Sequence, residues 1–67
     1  MLQKHSLTIN GHATSITLEP EFWAALRTIA EREKIALATL VAQIDATRGD
    51  QNLSSAIRVF VLKQALS

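Results

Sequence analysis

From Lys4 to Leu18 the chain alternates residue by residue between two kinds of side chain, with one interruption at Asn10-Gly11. That dipeptide is the commonest two-residue hairpin turn, because both central positions need positive φ. The turn predicts a strand pair over about residues 4–19, with Ile9 facing His12, Thr8 facing Ala13, Leu7 facing Thr14, Ser6 facing Ser15 and His5 facing Ile16. A period of two then sorts the side chains. His5, Leu7, Ile9, His12, Thr14, Ile16 and Leu18 share the face that packs, and Lys4, Ser6, Thr8, Ala13, Ser15 and Thr17 share a polar face. The alternative local reading is one long bent strand with a bulge at Asn10-Gly11. An isolated hairpin is barely stable in water and no later segment reads as a third strand, so a partner chain is expected to complete the sheet.

After Leu18 the period changes to that of helices. Pro20 suits a first helical position and Glu21 suits the positive end of the helix dipole, so a helix is expected over about 20–34. Phe22, Leu26, Ile29, Ala30 and Glu33 fall on one side of it, with Trp23 at the edge; Phe22, Leu26 and Ile29 are the expected core positions. Leu37, Leu40, Val41 and Ile44 begin a second stripe, giving a helix over about 36–48 that Gly49 stops. Asn52 or Ser54 can cap a third helix over about 53–66. There Leu53, Ala56, Ile57, Phe60 and Val61 make one stripe, and Val59, Leu62 and Leu66 widen it around the cylinder. A helix apolar over so much of its circumference is expected to be covered on more than one side.

Composition sharpens this picture. Sixty-seven residues make one small domain at most, and with no cysteine there are neither disulfides nor thiolate metal sites to stabilise it. Hydrophobic residues are 48% of the chain and charged residues 19%, too apolar for disorder and rich for a short monomer, so oligomerisation is expected. A formal charge of +1 excludes a histone-like electrostatic binder. The longest strongly apolar stretch, Val59 to Leu62, is far too short for a membrane span. Without a secretory pattern at the N-terminus, the expected location is the cytoplasm.

Candidate chemistry is sparse. His5 and His12 are offset in the predicted register and lack a third ligand, so no metal site is expected. Ser54-Ser55 has no histidine or paired carboxylate at an activating spacing and reads as capping. Trp23 reads as packing and not as a stacking platform. Gly11 and Gly49 make no phosphate loop. No catalysis and no cofactor are expected.

The stretches Gly11-His12-Ala13-Thr14-Ser15-Ile16-Thr17-Leu18-Glu19-Pro20-Glu21-Phe22-Trp23, Leu40-Val41-Ala42-Gln43-Ile44-Asp45 and Asn52-Leu53-Ser54-Ser55-Ala56-Ile57-Arg58-Val59-Phe60-Val61-Leu62 resemble a bacterial subfamily of small ribbon-helix-helix DNA-binding proteins. The resemblance implies a mainly α fold with a short N-terminal β-ribbon, built as an intertwined homodimer. One strand per chain would form a two-stranded ribbon that enters the major groove of double-stranded DNA, and the start of the second helix would hold a phosphate. It places the reading residues at Ala13, Ser15 and Thr17, within a DNA-facing set completed by Lys4, Ser6 and Thr8. The phosphate contact falls on the backbone of Ala36, Leu37 and Ala38. Ile16, Leu18, Phe22, Leu40, Val41, Ile44 and Phe60 become the expected dimer core. The subfamily often carries a basic residue where this chain has Ala13 and a serine cap where it has Ala36; an alanine methyl can touch a thymine methyl but cannot cap a helix.

The expected function is therefore a sequence-specific transcriptional regulator. The alternative is a protein-interaction or dimerisation module, antitoxin-like, in which Val59, Leu62 and Leu66 dock a partner protein or a second dimer. Residues 1–18 contain no acid, which favours DNA.

Overall fold

The computed structural model describes residues 1–67. Strands β1 (Gln3–Ile9) and β2 (His12–Leu18) are followed by helices α1 (Pro20–Glu33), α2 (Leu37–Thr47) and α3 (Leu53–Leu66). The strands pair antiparallel in an unbroken register from Gln3 opposite Leu18 to Ile9 opposite His12, which leaves no room for a bulge. Asn10 and Gly11 take φ values of 53° and 80°, as a type I′ turn requires. One chain thus supplies a complete two-stranded sheet by itself; the ribbon implied by the resemblance, one strand from each of two chains, needs a second copy.

The hairpin is also supported from within. Ile9, Ile16 and Leu18 are buried in one cluster with Trp23, Leu26, Ile29 and Ala30 of α1, Leu40, Val41 and Ile44 of α2, and Ala56, Ile57 and Val61 of α3. No polar or charged residue is buried. The three helices cover the packed face, so a partner chain is not needed to bury it; what remains open is the polar face and the outer strand edges, apart from the Thr17 carbonyl that Ser54 of α3 engages.

Two aromatic residues are placed differently from expectation. Phe22 and Phe60, both expected in the core, are half-buried against its rim, while Trp23 is fully enclosed. The hairpin packs over the first turn of α1 and selects the side that Trp23 occupies. Its indole Nε1–H donates to the Gln3 carbonyl at 3.0 Å, and the His5 ring meets the indole edge-on with centroids 4.5 Å apart. Ile16, Leu18, Leu40, Val41 and Ile44, the expected dimer core, are buried within the chain itself. Glu33, on the expected stripe of α1, is exposed.

The helix ends follow local chemistry. Pro20 occupies the start of α1, and Ala36 is extended with no side-chain cap, so α2 begins at Leu37 and not at 36. It ends at Thr47 because Arg48 folds back, its Nε donating to Asp45 Oδ1 at 2.6 Å and Nη1 to the Gln51 carbonyl at 2.7 Å. Asn52 caps α3 by accepting from the Ser55 amide at 2.8 Å.

At the end of α1, Lys34 is left-handed with φ 58°, its N–H bonding to Glu31 and the next amide, Ile35, to Ala30. This is a Schellman cap with lysine at the position glycine favours. Lys34→Gly is expected to stabilise the protein by about 1 kcal/mol, because an L side chain strains this conformation by roughly that much. Thermal unfolding should shift upward by about 4 to 8 °C, and an unchanged or lower midpoint would show that the cap stores no strain.

Candidate nucleic-acid interface

The face of the hairpin turned away from the helices carries Lys4, Ser6, Thr8, Ala13, Ser15 and Thr17 together, all exposed except Thr17, which is half-buried. Ser6 and Ser15 stand opposite each other with their hydroxyl oxygens 3.5 Å apart. Lys4 is the only charged side chain of the hairpin, and no carboxylate belongs to either strand. The surface offers hydroxyls that both donate and accept, one methyl group and one cation. Such groups suit base edges and phosphates.

Thr17 is half-buried because α3 begins beside it. Ser54 Oγ donates to the Thr17 carbonyl at 3.1 Å, which a reading of Ser54 as a helix cap did not anticipate. Arg58, one turn further along α3, donates from Nε to Glu19 Oε1 at 2.9 Å and so ties α3 to the junction of β2 and α1. The hydrogen bond from Arg58 is the main cause that holds the Glu19 carboxyl below its ordinary value, with the Glu19 backbone amide second. A carboxyl depressed by folding stabilises the protein fully above its unfolded pKa and loses that contribution as pH falls through the folded value. Glu19→Gln is therefore expected to flatten the fall in melting temperature on acidification below the ordinary carboxylate range. An identical acid limb in the variant would mean the pair does not couple to folding.

The amides of Leu37, Ala38 and Thr39 lie ahead of the first helical bond of α2, Leu40 N–H to the Ala36 carbonyl at 3.1 Å. Leu37 and Ala38 are half-buried and Ala36 and Thr39 exposed. Leu37 shares a shallow groove with Arg27, Ala30, Glu31 and Ile35, so this helix start adjoins α1. Arg27 there favours an anion and Glu31 opposes one. The far end of α2 borders the turn instead, where Asp45 and Arg48 line a cleft with Ile9, Asn10 and His12. His5 and His12 do not meet, since His5 lies against Trp23 and His12 is exposed beside the turn.

A family model of the ribbon-helix-helix domain matches residues 2–65. The chain belongs to the ribbon-helix-helix family. Domains of this family are commonly DNA-binding transcription regulators or antitoxins, and they generally form dimers. Comparisons with curated proteins and with solved structures find no match. This ribbon-helix-helix chain has no helix long and apolar enough to cross a membrane.

Proposed function

We propose that this ribbon-helix-helix protein is a sequence-specific DNA-binding transcription regulator that acts in the cytoplasm as a homodimer, without cofactor or catalysis. The observation that carries this reading is the solvent-facing, acid-free surface of the hairpin in a domain whose family match spans nearly the whole chain. In the major groove, Ser15 and Thr17 would exchange hydrogen bonds with base edges and Ala13 would touch a thymine methyl. The amides at the start of α2 would each take a phosphate oxygen, the ordinary role of free N–H groups at a helix start.

The test is selection from random duplex DNA followed by gel shift across a salt series. A two-fold symmetric dimer should enrich inverted half-sites, with affinity falling as salt rises. Its melting temperature should also rise with protein concentration. A folded protein that enriches no sequence would overturn the reading. One feature favours the partner-docking alternative in that event. Val59, Leu62 and Leu66 are exposed at helical spacing on the side of α3 away from Ala56, Ile57 and Val61.

A further inference from the structure

A ribbon made within one chain changes how the sheet can meet DNA. In a two-residue hairpin the ladder closes on Ile9 and His12, so bonded pairs alternate with non-bonded ones back along the strands. The non-bonded pairs are Thr8 with Ala13, Ser6 with Ser15 and Lys4 with Thr17. Their backbone N–H and C=O groups point outward, those of Ala13, Ser15 and Thr17 along the outer edge of β2 and those of Lys4, Ser6 and Thr8 along the outer edge of β1.

The two edges differ. A groove of about 450 Å³ runs beside β2, between Ser15 and Thr17 on one side and Leu53, Ser54 and Arg58 on the other. Strand β2 bears no charge, and only its Thr17 carbonyl is already engaged, by Ser54. Strand β1 bears Lys4, the kind of residue that discourages pairing at an edge. The open edge suited to a second copy of the chain is therefore that of β2. Pairing there places the two β2 strands at the centre of a four-stranded sheet with a β1 strand on each flank.

Width then separates the roles. Strands stand about 4.8 Å apart, so the two flanking strands lie about 14 Å apart. The major groove is only about 12 Å wide. The central pair fits inside it and the flanking strands do not; they lie over its walls, where the phosphates are. Resting on the regulator reading above, we infer that Lys4, Ser6 and Thr8 of β1 form a phosphate-holding rail on each side of the groove, and that base reading is confined to β2. The residue types agree with the placement: a cation and two hydroxyls suit phosphate, and neither strand carries a carboxylate. Were a single hairpin to enter the groove alone, both strands would fit and β1 would read bases as well.

The experiment uses the full chain on its selected duplex and on a panel of single-base-pair variants of that duplex. Lys4→Ala, the double variant Ser6→Ala with Thr8→Ala, and Ser15→Ala are compared over a salt series. Both β1 variants should weaken binding several-fold and by the same factor on every duplex. Lys4→Ala should also reduce the slope of log K against log salt by about 0.9 for each copy of the lysine. Ser15→Ala should instead alter preference at particular base pairs. A change of base preference in either β1 variant, or an unchanged salt slope in Lys4→Ala, would overturn the inference while leaving the regulator reading intact. Failure of the unmodified protein to select any duplex would remove that reading, and the rail with it.

Discussion

Trp23→Ala is expected to remove most of the stability of this protein. Trp23 is fully enclosed, and truncating an aromatic side chain in a core costs about 3 to 5 kcal/mol through lost burial and the cavity left behind. A chain of this length has only about 3 to 10 kcal/mol in total. The loss reaches beyond α1, because the indole is the support for β1, through the Gln3 carbonyl at 3.0 Å and the His5 ring. Trp23→Phe separates the two contributions: it keeps most of the apolar volume but removes the indole donor to the Gln3 carbonyl, for a smaller cost of about 0.5 to 1.5 kcal/mol from the lost hydrogen bond. Phe60→Ala, at a half-buried site, should also cost less than Trp23→Ala. Because Trp23 is the only tryptophan, unfolding has to be followed by circular dichroism and not by fluorescence. A melting shift of a few degrees in Trp23→Ala, at fixed protein concentration, would place the indole outside the core.

Ala13→Arg is expected to raise affinity for DNA. Ala13 is exposed on the outward face of β2, next along that face to Ser15, and contributes only a methyl group. A symmetric dimer would gain two guanidinium groups, each worth about 1 to 3 kcal/mol if it meets a guanine edge in bidentate geometry, or roughly 5- to 150-fold in affinity per arm. Arms that meet phosphates would instead steepen the salt dependence by about 0.9 per contact. Thr14→Arg is the control. Thr14 stands one residue along, half-buried on the packed side and bordering a cleft lined by Leu53 and the Asp45–Arg48 pair, so a guanidinium there is aimed away from DNA and into a crowded, already paired site. It should lower stability without raising affinity. Equal DNA binding by the unmodified protein and both folded variants would show that the outward face of β2 does not touch DNA.

The elements legible in the sequence are those set by interactions a few residues apart. Asn10-Gly11 demands positive φ at adjacent positions, so turn, register and the separation of the polar face from the packed face all follow from one dipeptide and a period of two. Pro20 and Asn52 start helices by equally local means. Adjacent positions on a helix are only about 100° apart. The choice between Phe22 and Trp23 therefore depended on where the hairpin came to rest, and the indole N–H with an acceptor 20 positions away decided it. Ser54 reaching the Thr17 carbonyl and Arg58 reaching Glu19 likewise join residues 37 and 39 positions apart, which no local pattern encodes. Lys34 closes α1 in a conformation usually marked by glycine, so its role had no composition signal. The sequence alone determined which side chains of the hairpin share each face of the sheet. Only the tertiary structure decided which helices the hairpin rests on and how much of each strand edge stays open, because an edge is defined by what fails to pack against it.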